Sequence, residues 1–168
     1  AFASPAGAVT RSGDIPPGSG MGDLYTFSCP PGATVSAEVN TRSTSAASVS
    51  WDPYLKIFDV SGAVLTSSDD AFACAETPAC GYTCPRVSNV FCGPGSIHAI
   101  VIKSNSTGSG CGEGGSYNLT LTVKDVNGNT LSDASTKLGG GAKRKPPKWA
   151  NLTGVLTSGP ALDNEAVP

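Results

Sequence analysis

Ser50-Trp51-Asp52-Pro53-Tyr54-Leu55-Lys56-Ile57-Phe58-Asp59-Val60-Ser61-Gly62-Ala63-Val64-Leu65-Thr66-Ser67-Ser68-Asp69-Asp70-Ala71 reads as one β-hairpin with acidic residues at both ends. Tyr54 to Asp59 is rich in aromatic and β-branched residues, and Leu55 and Ile57 share a face by the period of two. Asp59-Val60-Ser61-Gly62 is a turn in which Gly62 is free to take positive φ. Ala63 to Ser67 returns. A hairpin brings its two ends together, so Asp52 is expected to lie near Asp69 and Asp70.

Working outward, short strands recur along the chain. Asp23 to Cys29 places Tyr25 and Phe27 on one face. Thr34 to Asn40 alternates Val35, Ala37 and Val39 inward. Val87 to Cys92 is a further strand. Ser96 to Lys103 is nearly continuously apolar, which suits a central strand covered on both faces. Ser116 to Asp125 alternates Tyr117, Leu119, Leu121 and Val123 with Asn118, Thr120 and Thr122. The Asp-Val-Asn-Gly turn at 125–128 echoes Asp-Val-Ser-Gly at 59–62, as shared hairpin chemistry. Thr130 to Leu138 is a candidate short strand. With turns every eight to twelve residues, the expected fold is all-β, an antiparallel β-sandwich of jelly-roll-like form.

Composition agrees. The 168 residues hold 21 Gly and 13 Pro, and only 14% are charged. No window sustains a 3.6-residue apolar period, and no apolar run is long enough to cross a bilayer. The expected organisation is an N-terminal arm at 1–13, a sandwich domain at 14–138, and a glycine hinge with a basic, extended tail at 139–168. Residues 1–142 carry 7 basic and 11 acidic side chains, whereas 143–168 carry 4 basic and 2 acidic. An acidic body makes nucleic acid an unsuitable partner.

Six cysteines, Cys29, Cys74, Cys80, Cys84, Cys92 and Cys111, point to disulfides and an oxidising compartment. They lack a CxxC pair and the chain has one histidine, His98, so a structural zinc site is not expected. Fifteen pairings are open, with at least one local bridge expected among Cys74, Cys80 and Cys84. The segment 71–86 is expected to be an irregular loop held by such a bridge. Ala1-Phe2-Ala3-Ser4-Pro5 reads as a trimmed start, and secretion is inferred from the cysteines.

Four blocks carry a family resemblance. They are Gly22-Asp23-Leu24-Tyr25-Thr26-Phe27 with Pro31-Gly32; Asp52-Pro53-Tyr54-Leu55 through Asp59 and Gly62 to Asp69-Asp70; Gly95-Ser96-Ile97-His98-Ala99-Ile100-Val101; and Gly114-Gly115-Ser116-Tyr117-Asn118-Leu119-Thr120-Leu121. In order and spacing the chain resembles the bacterial pre-peptidase C-terminal (PPC) domain over roughly residues 14 to 124. Three features depart from that pattern: the long cysteine loop at 71–86, Ile97 in place of an aromatic, and the tail from Lys137. The resemblance implies a jelly-roll-like, non-catalytic extracellular module, often appended to secreted peptidases. It also implies roles in binding calcium, collagen or polysaccharide, or in secretion.

Candidate sites follow from the residues. Asp52, Asp69 and Asp70, joined by Asp23 or Glu113, supply the hard oxygens calcium wants, and a cation would relieve the repulsion between adjacent carboxylates. The bland alternative is that these are solvated turn residues. Neither a GxSxG elbow nor an HExxH motif occurs, and His98 reads as a strand histidine with a hydrogen-bond partner, so no catalytic role is expected. Sequons stand at Asn105, Asn118 and Asn151. Trp51, with Tyr82, is a candidate sugar-stacking platform, the alternative being that Trp51 caps the core. Trp149 lies among four cations at 143–149, a candidate contact for an acidic polymer. Asn151 to Thr157, with Leu152, Val155 and Leu156, is a candidate donor strand for a neighbouring sandwich.

The expected function is that of a secreted extracellular module for adhesion or self-assembly, such as a filament or matrix subunit, stabilised by calcium. Its partners would be further copies of itself or the surrounding matrix. The alternative is a collagen- or polysaccharide-binding accessory module of a secreted hydrolase.

Overall fold

Alternating apolar and polar residues dictate strands with one buried face, and eleven strands form among the described residues. The computed structural model describes residues 8–15, 22–42, 51–59, 61–74, 83–93, 95, 97–104, 114–131 and 142–144. In chain order the strands are β1 (Val9–Asp14), β2 (Gly22–Ser28), β3 (Thr34–Arg42), β4 (Pro53–Phe58), β5 (Val64–Ser68), β6 (Phe72–Ala73), β7 (Thr83–Cys84), β8 (Arg86–Phe91), β9 (Ile97–Ser104), β10 (Ser116–Lys124) and β11 (Ala142–Arg144). There is no helix among the described residues.

Two antiparallel sheets stack into a β-sandwich, with the order β1-β10-β3-β8 in one and β11-β2-β9-β4-β5 in the other. Between them lies one continuous core. Val35, Ala37, Val39, Val87, Leu119, Leu121 and Val123 enter it from the four-stranded sheet, and Tyr25, Phe27, Leu55, Ile57, Ile100 and Ile102 from the five-stranded sheet. Burying each large apolar side chain stabilises the fold by about 1.5–3 kcal/mol. The β6–β7 ladder is a separate small sheet. It gives regular structure to the described ends of the segment 71–86, expected to be irregular; residues 75–82 lie outside the described residues.

The central hairpin is β4–β5, registered Leu55 to Ser68, Lys56 to Ser67 and Ile57 to Thr66. Its turn is fixed by Asp59. The Asp59 carboxylate accepts from the Ser61 amide (2.8 Å), the Ser61 hydroxyl (2.6 Å) and the Ala63 amide (3.0 Å), and Gly62 sits at φ 83°. The turn after β10 repeats the device. Asp125 accepts from the amides of Asn127 and Asn129, and Gly128 takes φ 83°. In both, Asp donates its own amide to the carbonyl four residues on and the glycine closes back on the Asp carbonyl. This is the hairpin loop in which a type I turn is followed by a glycine at positive φ. Of the candidate strand at Thr130 to Leu138, the described part is a single bridge, Lys124 to Thr130.

Both chain arms contribute strands. β1 pairs with β10 over six residues, so the boundary drawn at 13/14 falls inside a strand. β11 follows Gly139-Gly140-Gly141 and pairs antiparallel with β2: Ala142 to Leu24, Lys143 to Asp23, Arg144 to Gly22. The described start of the tail is thus an edge strand of its own sheet.

Two disulfides among the described residues lock the architecture. Cys29 directly follows β2 in one sheet and Cys92 directly follows β8 in the other, and their bond ties the two sheets together. Cys74–Cys84 closes the local loop next to the hairpin's end. Cys80 and Cys111 lie outside the described residues.

His98 is fully buried on β9 beside Phe27, ring centroids 5.6 Å apart. The expected hydrogen-bond partner is not there: neither ring nitrogen has one among the described residues. Burial lowers its pKa, against a smaller opposing pull from Asp59. The sign is that of a group depressed by folding: the fold loses stability as the pH falls below the ordinary histidine range, where the unfolded chain takes the proton first.

Candidate metal centre

The hairpin ends converge as expected. Asp52 immediately precedes β4, while Asp69 and Asp70 immediately follow β5. One carboxylate oxygen from each of the three lies within 4.8 Å of the others. Asp52 and Asp69 are half-buried and Asp70 is exposed. Burial, then the charges of Asp69 and Asp70, push the Asp52 carboxyl up from 3.8 to about 6. Three convergent carboxylates whose proton is held that high form a site where positive charge is favoured.

The flanking structure fixes this end of the hairpin. Thr83, on β7, donates its hydroxyl to Asp70. The Ala71 amide donates to the Cys84 carbonyl at 3.0 Å, and the Arg86 amide donates to the Ser68 hydroxyl at 3.0 Å. The Cys74–Cys84 bridge closes the same loop. Arg86 lies 4.1 Å over the Phe72 ring and pairs with Glu38 at 2.7 Å. The β6–β7 ladder and its disulfide therefore act as a strap beside the acidic trio. Thr83 was not among the candidate residues, because a threonine in a two-residue strand gives no sequence signal of a carboxylate partner 13 positions away.

The other candidate ligands stand elsewhere. Asp23 does not belong to the trio. It is buried between the sheets, where Tyr117 donates its hydroxyl to it at 2.5 Å. Tyr25 in turn hydrogen-bonds Tyr117 at 2.7 Å. Burial, then the Asp23 charge, holds the Tyr117 phenol far above its ordinary range, so Tyr117 stays the proton donor. This network is a buried structural brace. Glu113 lies outside the described residues.

Trp51 is 3% exposed, which removes it as a sugar-stacking platform. Its indole N–H donates to the Ser116 carbonyl at 3.3 Å, and its ring packs on Tyr117 with centroids 6.0 Å apart. Gly115 permits this, since a Cβ there would come within 2.2 Å of the indole. Tyr82, Trp149 and the proposed donor residues Asn151, Leu152, Val155 and Leu156 lie outside the described residues. Of the three sequons, Asn118 is described. It alternates away from the core on β10 and accepts a hydrogen bond from Ser12 at 2.7 Å. Asn105 and Asn151 lie outside the described residues.

No helix among the described residues is long and apolar enough to cross a membrane. No protein-family model matches the chain, and no curated protein matches it.

Proposed function

We propose that this chain is a non-catalytic module of a secreted protein, acting outside the cell in adhesion or self-assembly, with calcium held by Asp52, Asp69 and Asp70. The observation that carries the reading is the convergence of these carboxylates at one end of the sandwich, with the Asp52 proton held up to about 6. Carboxylates crowded at a loop rim supply part of the six to eight oxygens of a calcium shell, and extracellular calcium sites bind at 10⁻⁴–10⁻³ M. Two disulfides among the described residues support an oxidising location. Strand addition is the mode of assembly we favour, because the β2 edge already takes its last strand from a segment joined through three glycines. The four-block resemblance to the PPC domain supports the same reading. His98, the chain's one histidine, is sealed in the core, which supports a role without histidine-assisted hydrolysis. The accessory-module reading loses an argument with the burial of Trp51.

Calcium and the Asp52 proton compete for one site, and this gives the test. A carboxyl raised by folding stabilises the fold fully below 3.8, and that contribution is lost as the pH rises through about 6. Calcium restores stability where the proton has left. At pH 7.5, calcium at a hundredfold excess over its Kd is expected to add about 2.7 kcal/mol, seen as a higher Tm than in EDTA. The gain fades by pH 5. Asp52→Asn is expected to raise Tm in EDTA and to abolish the calcium response. Equal melting of the native chain in calcium and in EDTA at pH 7.5 would overturn the site.

A further inference from the structure

The five-stranded sheet has a second buried face. Leu24, Phe58, Ala99 and Val101 are 5%, 0%, 0% and 2% exposed and form a cluster separate from the inter-sheet core. Leu24 pairs with Val101 across β2–β9, and Phe58 pairs with Ala99 across β4–β9. On β9 these positions alternate with Ile100 and Ile102, which belong to the inter-sheet core. The cluster therefore faces away from the four-stranded sheet. The described strands are accounted for by the two sheets and the β6–β7 ladder, and that ladder sits against β3 on the other sheet. None of them lies across this face.

We propose that residues 145–157 of the same chain dock on this face, with Trp149, Leu152, Val155 and Leu156 supplying the apolar contact. Composition favours this segment. Of the longer stretches outside the described residues, 1–7, 16–21, 43–50, 75–82 and 132–141 each hold one large apolar side chain, 158–168 hold two and 105–113 none, whereas 145–157 hold four. Position agrees as well. β11 ends with Arg144 opposite Gly22, two residues from Leu24 on the edge strand of this same sheet. The chain therefore leaves at the margin of the apolar face.

Charge points the same way. Gly22 pairs with Lys103, and Pro53 pairs with Ser104, so the exit is at the end of the sheet that carries Asp52, Asp69 and Asp70. The sequence continues from there with Lys145 and Lys148, charges that suit an acidic end. Reach is ample: thirteen residues span up to about 43 Å extended, while the strands β2, β9 and β4 are spaced about 4.8 Å apart.

The test is a full-length chain carrying Leu152→Asp, Val155→Asp and Leu156→Asp, beside a chain stopped after Arg144. Both keep β11. Both are expected to bind the apolar dye ANS several-fold more strongly than the native chain and to melt at lower temperature. Added peptide 145–157 of native sequence is expected to reverse both effects in the shortened chain. An unchanged Tm and ANS signal in the triple variant would overturn the proposal, whether or not the shortened chain folds. Shielding of the face that appears only at high protein concentration would also overturn it, by placing the occupant on a second copy. Self-assembly is read separately, by light scattering. A triple variant with an exposed face that still polymerises would uphold the docking and remove the tail from assembly.

Discussion

Cys29→Ala with Cys92→Ala is expected to destabilise the sandwich by about 4 kcal/mol. The bridge joins residues 63 apart in sequence, and closing a loop of that size removes correspondingly large entropy from the unfolded chain. Both cysteines are buried, at 0% and 5% exposure, at the ends of strands from opposite sheets. The Cys92 amide also donates to the Ala33 carbonyl at 3.0 Å, so the strand end is held apart from the sulfur. Alanine should therefore leave the backbone path intact while losing the tether. For a chain of this size the shift in Tm is on the order of 10 °C, checked by calorimetry on the double variant. A Tm within about 2 °C of the native chain would show that the sheets are held together by their core alone. The Cys74–Cys84 bridge spans 10 residues and should stabilise less, with its loss felt mainly at the acidic trio it straps.

Trp51→Ala is expected to cost about 3–5 kcal/mol, the range for truncating a buried aromatic. The indole fills the space above Tyr117 and Gly115, and its N–H satisfies the Ser116 carbonyl. Removing it leaves a cavity and takes one hydrogen bond from the Ser116 carbonyl. Trp51→Phe should lose less, because the aromatic volume is mostly kept. The pair separates a structural from a ligand-contacting role. Chemical denaturation should show a large loss for Trp51→Ala, and glycan binding, if present, should be unaffected in Trp51→Phe. A Trp51→Ala chain of native stability would contradict the packing described.

Much of this architecture is legible in local sequence because hairpins are local objects. Asp59 and Gly62 encode their turn through Asx hydrogen bonds and a positive φ, and the turn at Asp125 to Gly128 obeys the same rule. Once β4 and β5 are paired, the meeting of Asp52 with Asp69 and Asp70 follows from geometry. The apolar run of β9 foretold burial on both faces, and Ala99 and Val101 supply the second face. What stayed hidden depends on partners far along the chain. Asp23 reads as a metal ligand until Tyr117, 94 positions away, takes its carboxylate. Trp51 reads equally as a sugar platform or a core cap until Ser116, 65 positions away, accepts its N–H. β11 is written Ala-Lys-Arg, with no strand propensity, and pairs because the β2 edge offers backbone partners. His98 carries no sequence mark of its missing hydrogen bonds.

In the proposed function, assembly depends on calcium at the acidic trio. Native material should be sized by light scattering and imaged by negative stain, in calcium and in EDTA. Regular polymers are expected in calcium, and they should dissociate or lose their order in EDTA. A monomer of identical size in both conditions would contradict it.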